Sequence, residues 1–440
     1  MAGASSISEK SRLLRHGAPK SRATKASIFS SRVNSCMMAR MRLHHRIYLS
    51  PGFFGFGKIG SYDYFSHVEK ALVARLNASG DDATTWVLDV PPTASIRRRA
   101  SRLAELVSGT AGDEGPVHLI GHSTGGLDAR MLASPQVILP IPDGMLSWLP
   151  RLASVTTINA PHYGTPLASF FATVNGQRWL YLLSVLTYVA LTVGAPPLTF
   201  VSAMVLAMRR IEGMLGLDVK VVDRLGRSVL RVLDDAQSAE VRIFLEAILT
   251  DQGAMIQLMP EAMDLFHAGM GDRPGVVYQC TASMAPAPSA RKWLMRLPNP
   301  WETLQTTIFT ALHGIASRYD ETYPCAPRDV DDDAEARLRS AFGRVPGARA
   351  NDGVVPILSQ IWGKLVWAGY GDHLDVLGHF NPEGSSHPET PLGPRPTGVG
   401  HVDWLRSGSG FTEPKFETMI AAIGDGVVGA AERWRSPIRA

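Results

Sequence analysis

Short apolar runs alternate with amphipathic stretches through the first part of the chain. Four short runs, rich in apolar and β-branched residues, have the character of buried strands, and they cover residues 47–49, 84–90, 117–121 and 154–160. Between them, residues 64–77 and 96–108 have the spacing of amphipathic helices. This alternation is typical of a parallel sheet with helices on both faces. We therefore predict an α/β fold, and we expect the RRRASR segment of the second helix to face solvent.

The pattern changes over residues 171–272, which are almost continuously apolar with helical spacing. We predict that this segment is a helical cap, or lid, inserted into the α/β core. Residues 179–208 carry no charge, which suggests a membrane span, but Pro196 and Pro197 divide them into pieces of 17 and 11 residues. Each piece is short for a span. A buried helical pair and a mobile apolar cap that contacts lipid are the alternatives.

Two further apolar runs, residues 275–281 and 364–368, predict the remaining strands. A helix is expected over residues 334–342, after an acidic run that we interpret as a solvated surface, and a last helix is expected over residues 414–434. The predicted organisation is a disordered basic tail (1–45), a first part of the core (46–170), the cap (171–272) and a second part of the core with the C-terminal helix (273–440).

The basic residues are concentrated at the start of the chain. Residues 1–46 contain ten Lys or Arg, nine Ser and one acid, Glu9. Removing them from the totals of 44 basic and 40 acidic residues leaves 34 and 39, so the remaining body has a net charge of −5. The pI near 9.0 therefore does not indicate that the folded part binds nucleic acid.

The basic tail has no apolar run long enough for a secretory signal. Its composition also resembles that of organelle transit peptides, so the location is left open, with a cytoplasmic or peripherally membrane-associated protein favoured. Three scattered cysteines, Cys36, Cys280 and Cys325, predict neither a disulfide framework nor a zinc site.

The strongest chemical signal is the segment VHLIGHSTGGLDARML. Gly121, Ser123 and Gly125 form a G-x-S-x-G motif directly between a predicted strand and a predicted helix. A strand that turns sharply into a helix strains the serine backbone, and only small neighbours leave room for it. A tight turn with an idle serine is the alternative. Because strand, glycines and helix are in register, Ser123 is the predicted nucleophile, and His122 is expected to support the turn.

A serine nucleophile needs a base, a carboxylate that orients the base and donors for the oxyanion. The backbone N–H of Thr124, directly after the nucleophile, is one expected donor. The other is expected in the glycine-rich segment SPGFFGFGKIGSYDYF, where the Phe53 backbone is best placed. Packing of the Phe53 side chain is compatible with this role, since only the backbone is required.

Together with TINAPHYGTPLASFF, ANDGVVP and GDHLD, these segments resemble the bacterial triacylglycerol lipases of the α/β-hydrolase superfamily. The resemblance covers most of residues 46–380. It implies an α/β-hydrolase core, a helical lid over the site and ester hydrolysis by Ser, Asp and His in that chain order. The sequence departs from the pattern at Pro51, where such lipases usually have His.

Asp352 in NDGVVP matches the family's catalytic acid. Asn-Asp-Gly also favours a turn by itself, but a predicted strand and then a His follow at the distance that the fold requires. His373, in the loop after the strand at 364–368, is therefore the predicted base. His401, which lies 49 positions after Asp352 rather than 21, is the alternative base. We interpret His162 as a structural residue near the site.

The segment GYGDHLDVLGHF, residues 369–380, has the residue types of a metal site. By the resemblance, Asp375 falls where related lipases place a carboxylate ligand for a structural Ca²⁺. Calcium takes six or more oxygen ligands, and the others are not apparent, so a salt-linked or solvated Asp375 is preferred. A zinc site is less favoured, because the sequence offers no third or fourth ligand at a usable spacing. Asp372 and His379 have no assigned role.

The combined expectation is a serine carboxylic-ester hydrolase, a lipase or carboxylesterase, that requires no cofactor. The apolar cap and the phenylalanine-rich loop favour a lipid or other hydrophobic ester over a small polar one. The alternatives are an intracellular polyester depolymerase or an acyltransferase with the same triad, and a non-catalytic lipid-binding protein on this scaffold. The cap is expected to contact a membrane or lipid surface, and no nucleic-acid partner is expected.

Overall fold

The computed structural model describes residues 42–53, 58–59, 62–91, 93–192, 246, 251–289, 291, 299–380 and 405–435. Residues 1–41 of the predicted tail, most of the predicted cap and His401 lie outside the described residues. The division into tail, core and cap therefore stays a prediction.

A six-stranded parallel sheet forms the centre of the described chain. Its strands are β1 (His44–Ser50), β2 (Asp82–Val87), β3 (Val117–His122), β4 (Leu152–Ile158), β5 (Val277–Met284) and β6 (Lys364–Tyr370). Their order across the sheet is β2, β1, β3, β4, β5, β6. Every neighbouring pair is parallel, which confirms the predicted α/β fold.

Ten helices are described, and most of them follow a strand. They are α1 (Ser66–Ala78), α2 (Ile96–Thr110), α3 (Thr124–Ala133), α4 (Pro166–Phe171), α5 (Val174–Thr192), α6 (Gly253–Gln257), α7 (Pro260–Gly269), α8 (Pro300–Ala316), α9 (Asp332–Phe342) and α10 (Glu413–Arg435). Residues 58–59 and 62–63 also form a short antiparallel pair. Within the described residues, no helix is long and apolar enough to cross a membrane.

The core lies on both faces of the sheet because successive side chains of a strand point to opposite faces. On one face, Ile47 and Leu49 of β1 are part of a cluster with α1 and α10. On the other face, Tyr48 is part of a cluster with α2 and α3. Both faces are thus covered by helices, as the apolar character of the strands predicts.

The prediction that RRRASR faces solvent is wrong for part of the segment. Arg97, Arg98 and Arg102 are exposed, but Arg99 is completely buried. Helical spacing places Arg99 in line with the buried Leu103 on the inner face of α2. Its charge is compensated there by Asp128 of α3, which lies 2.8 Å from the guanidinium.

Helix α8 was not predicted, although the sequence carries its signals. Asn299 caps the helix, since its side-chain oxygen accepts hydrogen bonds from the N–H groups of Trp301 and Glu302. Pro300 occupies the first helical position, where it is favoured. Leu304 and Ile308 then give an apolar helical spacing.

Candidate active site

Ser123, the predicted nucleophile, lies in a sharp turn between β3 and α3. Ser123 has φ 55° and ψ −128°, a conformation that is strained for a residue with a side chain. Its backbone N–H donates to the Ile158 carbonyl at 2.8 Å, which fixes the turn against β4. A Cβ on Gly121 would lie 2.1 Å from the Gly125 backbone, and one on Gly125 would lie 2.0 Å from the Ser50 carbonyl oxygen. The turn therefore requires both glycines, as expected from the motif.

The structure brings Ser123, His373 and Asp352 together. The Nε2 atom of His373 lies 2.9 Å from Ser123 Oγ, and its Nδ1 atom lies 2.7 Å from Asp352 Oδ2. The exposed fraction is 5% for Ser123, 5% for His373 and 0% for Asp352. These distances permit proton transfer from serine to histidine and orientation of the histidine by the carboxylate.

The predicted base and acid are placed by the ends of two neighbouring strands. The Gly371 N–H, just after β6, donates to the Met284 carbonyl at the end of β5 at 3.1 Å. The His373 N–H then donates to the Asp352 carbonyl at 2.9 Å. A backbone bond from Ala285 to Asn351 ties the Asp352 turn to the same strand end. Both side chains are therefore fixed from the carboxyl edge of the sheet.

Five donors surround the Asp352 carboxylate. Its Oδ1 accepts from the N–H groups of Val354 and Val355 at 2.9 and 2.7 Å. Its Oδ2 accepts from Asn159 and Gln360 side-chain amides at 3.2 and 3.1 Å, in addition to the His373 bond. These donors stabilise the negative charge of the buried carboxylate.

Sequence reasoning assigned no role to Asn159 or Gln360. Asn159 lies in the quoted segment TINAPHYGTP, and its positive φ of 48°, rare for residues other than glycine, turns the chain at the end of β4. Gln360 lies eight positions after Asp352, with no local pattern that predicts its contact. Their convergence on Asp352 is visible only in three dimensions.

Thr124 and Phe53, whose N–H groups are the expected oxyanion donors, line the same cavity as Ser123. Thr124 is the first residue of α3, so its N–H belongs to the positive end of that helix. Phe53 follows Gly52, which packs so closely on the nucleophile that a Cβ on Gly52 would lie 2.7 Å from Ser123 Cβ. We call residues 51–53 the oxyanion loop.

A buried ion pair supports the oxyanion loop. The Arg99 guanidinium donates to the Pro51 carbonyl, and it also donates to both oxygens of Asp128, from Nε, at 3.1 and 2.9 Å. Ser50 Oγ donates to the same carboxylate at 2.7 Å. Burial raises the pKa of Asp128, while the charge of Arg99 opposes that shift. Pro51 is the position at which the sequence departs from the bacterial lipase pattern. Its backbone carbonyl is nevertheless held in place by Arg99.

His122 lies behind the nucleophile, between the oxyanion loop and the base. Its Nδ1 lies 2.6 Å from the Tyr64 hydroxyl, and its Nε2 lies 2.9 Å from the His373 carbonyl oxygen. The Tyr64 oxygen also accepts from the Gly52 N–H at 3.2 Å. Burial, followed by the nearby charge of His373, holds the pKa of His122 well below its usual range. These contacts agree with the supporting role at the turn that was expected for His122.

His162 is completely buried beside the site. Its Nδ1 accepts from the Arg130 guanidinium at 2.9 Å, so its Nε2 donates to Thr157 Oγ1 at 3.0 Å. The guanidinium in turn stacks 3.4 Å from the centre of the Trp362 ring. These contacts agree with the structural role expected for His162.

An apolar cavity of about 220 Å³ lies over Ser123 and His373. Residues from α4, α5, α6 and α8 and from several loops supply most of its wall. The side chains include Leu167, Phe171, Leu183, Leu186, Met255, Trp301, Ile308 and Leu312. Few polar groups interrupt this wall, and one of them, Gln305, comes from the helix that the sequence analysis missed.

The Asp375 carboxylate is held by hydrogen bonds from its own loop and from the segment before α10. Its Oδ2 accepts from the Asp372 N–H at 2.8 Å and from Ser409 Oγ at 2.5 Å. Asp372 Oδ1 accepts from the backbone N–H groups of Leu374 and Asp375. The described part of the chain contains no group of three or more His, Cys, Asp or Glu that could hold a metal ion. Calcium binding stays a prediction that depends on the resemblance alone.

His401 lies outside the described residues, so only His373 can be compared with the contacts expected of the base. Asp372 caps the loop that carries His373, and the His379 ring packs against His67 with ring centres 5.6 Å apart. Asp372 thus stabilises the loop that carries His373, and His379 packs against His67 in α1.

No protein-family model matches the chain. A triacylglycerol lipase from Pseudomonas fragi is 32% identical over 126 residues, which are 28% of this chain and 36% of that lipase. The chain thus matches about a third of its curated relative's length.

Solved structures similar to this chain include a lipase and an esterase. The lipase of Staphylococcus hyicus is 14% identical with a TM-score of 0.46, covering 88% of this chain and 96% of that chain. The esterase EstA of Clostridium botulinum is 18% identical with a TM-score of 0.43, covering 76% and 83%. The fold assignment itself rests on the parallel sheet, the strand–Ser123–helix turn and the order of Ser, Asp and His along the chain. The chain has the α/β-hydrolase fold and is similar in sequence to a triacylglycerol lipase over the segment that the two share.

Proposed function

We propose that the protein is a serine carboxylic-ester hydrolase, a lipase or carboxylesterase that cleaves hydrophobic esters. The observation that carries the proposal is the continuous hydrogen-bonded series from Ser123 through His373 to Asp352 at the base of an apolar cavity. The partial similarity to a triacylglycerol lipase supports the same chemistry. No specific observation favours a polyester depolymerase, an acyltransferase or a non-catalytic lipid-binding protein.

In the first half of the reaction, Ser123 Oγ attacks the ester carbonyl carbon and its proton passes to His373 Nε2. Asp352 accepts the Nδ1–H of His373 and stabilises the imidazolium that forms. The N–H groups of Thr124 and Phe53 hold the oxyanion. The tetrahedral intermediate then collapses, and His373 returns the proton to the departing alcohol oxygen.

In the second half, water attacks the acyl-enzyme at the same carbon. His373 Nε2 takes a proton from that water, and the new tetrahedral intermediate forms against the same two N–H donors. Collapse releases the carboxylic acid and restores Ser123 Oγ–H with the proton that His373 held. The triad is then in its starting state, and no cofactor enters either half.

The cavity wall favours a hydrophobic acyl group over a polar one. Its aliphatic and aromatic side chains leave little to satisfy a buried polar substituent, and an unsatisfied polar group costs about 1–3 kcal/mol. A chain of methylene groups instead gains about 0.8 kcal/mol for each CH₂ that it buries. The relative rates on esters of increasing acyl length therefore test the substrate class.

We also propose that the cap contacts a lipid surface, with the protein in the cytoplasm or at the membrane periphery and without a nucleic-acid partner. Exposed apolar side chains on α5, α6 and α7 support the contact, namely Val174, Ile256 and Leu265, of which Leu265 is 75% exposed. Co-sedimentation with phospholipid vesicles tests it, with the Leu265→Ser variant as the weakened form. Equal binding of vesicles by both forms contradicts the contact through α7.

The hydrolase proposal is tested with p-nitrophenyl esters from acetate to palmitate on the wild type and on Ser123→Ala. We expect turnover that depends on Ser123 and increases from acetate to longer chains. A fluorophosphonate adduct mapped to Ser123 identifies the nucleophile independently of the substrate. Wild-type turnover equal to that of Ser123→Ala contradicts the hydrolase, and a preference for acetate contradicts the hydrophobic substrate.

The base is tested with His373→Ala and His401→Ala in the same assay. We expect His373→Ala to abolish turnover and His401→Ala to retain it, because His373 Nε2 lies 2.9 Å from Ser123 Oγ. The reverse result assigns the base to His401.

A further inference from the structure

A series of hydrogen bonds joins the oxyanion loop to the loop of the catalytic base, through residues that do not belong to the triad. It runs from the Gly52 N–H to Tyr64 Oη, from Tyr64 Oη to His122 Nδ1 and from His122 Nε2 to the His373 carbonyl. The His373 N–H then donates to the Asp352 carbonyl. The series thus passes behind Ser123 and has one end on each side of it.

The direction of each bond follows from simple chemistry. A carbonyl oxygen can only accept, so His122 donates from Nε2 to His373. In neutral His122 the other nitrogen, Nδ1, is then an acceptor, and the Tyr64 hydroxyl must donate its proton to it. The Tyr64 oxygen keeps a lone pair for the Gly52 N–H. Of the two neutral tautomers of His122, only the Nε2–H form satisfies all of these bonds.

We propose that Tyr64 and His122 are positioning residues for ester hydrolysis, which couple the oxyanion loop to His373 and keep a neutral ring beside the imidazolium that forms. This inference rests on the proposed function. The two imidazole rings have centroids only 4.8 Å apart. If His122 took a proton as well, two cations would face each other in a buried site. A second proton on His122 would have to bind Nδ1, and Nδ1 already accepts the hydrogen bond from the Tyr64 hydroxyl.

The same series fixes the distance from Ser123 to the oxyanion loop and the distance from Ser123 to His373. Gly52 precedes the oxyanion donor Phe53, and His373 carries the base, so both are held relative to the turn that contains Ser123. Tyr64 and His122 are themselves buried and have little freedom to move. Misplacement by about 1 Å costs as much as 10²-fold in rate in such sites.

Tyr64→Phe removes the hydroxyl and keeps the ring. We expect it to lower kcat by roughly 10- to 100-fold with a change in KM below about twofold. Tyr48→Phe is the matched control, because Tyr48 is also fully buried and its hydroxyl lies 3.0 Å from Thr110 Oγ1, in the core cluster on the α2 and α3 face. We expect Tyr48→Phe to keep the wild-type kcat even where its melting temperature falls.

A double-mutant cycle tests whether the two residues act through one series. His122→Gln keeps an amide donor for the His373 carbonyl and loses the ring that accepts from Tyr64. We expect Tyr64→Phe and His122→Gln to be non-additive, with the double variant close to the worse single variant. Strict additivity, an unchanged kcat in Tyr64→Phe, or a change in KM alone overturns the positioning role.

The tautomer gives a readout that does not depend on activity. In full-length Ser123→Ala labelled with ¹⁵N-histidine, we expect His122 to be neutral with the proton on Nε2, and we expect this preference to be lost in Ser123→Ala/Tyr64→Phe. A proton on Nδ1 of His122 in Ser123→Ala overturns this inference alone. An absence of Ser123-dependent turnover in the wild type overturns the proposed function, and with it the catalytic part of the inference.

Discussion

The buried guanidinium of Arg99 donates a hydrogen bond to the carbonyl of Pro51, one residue before the glycine that packs on the nucleophile. Asp128, the counter-ion of Arg99, is also completely buried. A charge left alone in such a site is costly, because it has neither water nor a partner. The ion pair therefore links the stability of the fold to the placement of the oxyanion loop.

We expect Arg99→Ala to destabilise the protein by about 3–5 kcal/mol, since it leaves Asp128 buried without its cation. Urea unfolding followed by circular dichroism measures the change. Arg102→Ala, on the exposed face of the same helix, is the control and should cost less than about 0.5 kcal/mol. Equal effects of the two substitutions contradict the assigned role of the ion pair.

The burial of the Arg99–Asp128 ion pair could not be predicted from the sequence. The strands and the turn at Ser123 were predictable because their signals are contiguous, from an apolar run through G-x-S-x-G to a helix. Arg99 looked like a solvated residue because its compensating carboxylate is 29 positions away. Nothing local marks a buried cation when its partner belongs to another helix.

Helix α8 and the donors around Asp352 were missed for two different reasons. The start of α8 has a local signature at Asn299 and Pro300, which was overlooked inside a long excursion between strands. Asn159 and Gln360 have no such signature, because their contacts with Asp352 span 193 and 8 positions and depend on the sheet. The triad was predictable by resemblance, whereas the donors that hold it required the fold.

Asp352→Asn should lower kcat on the order of 10⁴-fold, because the amide cannot hold His373 in the tautomer that accepts the serine proton. The substitution should also destabilise the fold. The Asn159 and Gln360 side chains donate to Asp352 Oδ2, and an amide N–H₂ group at that place cannot accept their hydrogen bonds. Steady-state kinetics and thermal unfolding measure the two effects. A variant that keeps activity within about tenfold of the wild type contradicts the role of Asp352.

Gly52→Ala should inactivate the protein with little loss of secondary structure. The new Cβ would lie 2.7 Å from Ser123 Cβ and 3.0 Å from the Tyr64 hydroxyl, so the oxyanion loop must shift away from the nucleophile. We expect a loss of roughly 10²-fold in kcat/KM, measured with the preferred p-nitrophenyl ester. Gly429→Ala in α10, where an added Cβ meets nothing within 4 Å, is the control and should keep full activity. Wild-type rates in Gly52→Ala contradict the close packing.

Folding stability should fall as the pH decreases below about 6.5, the ordinary pKa of histidine in an unfolded chain. His118 lies at the opposite end of β3 from the site, with Ser154 bonded to its Nδ1 and His45 to its Nε2, and His45 in turn contacts Asp81. Burial, then the nearby His45, holds the pKa of His118 well below its usual range.

Because the pKa of His118 is lower in the folded state, the unfolded chain binds the extra proton first. The stability that His118 contributes is therefore complete above about pH 6.5 and decreases as the pH falls from there toward the folded pKa. Each such histidine contributes a slope of at most about 1.4 kcal/mol per pH unit. Urea unfolding from pH 8 to pH 5 measures the slope in the wild type and in His118→Gln, in which it should be smaller. A slope unchanged by that substitution shows that His118 does not remain neutral in the folded protein.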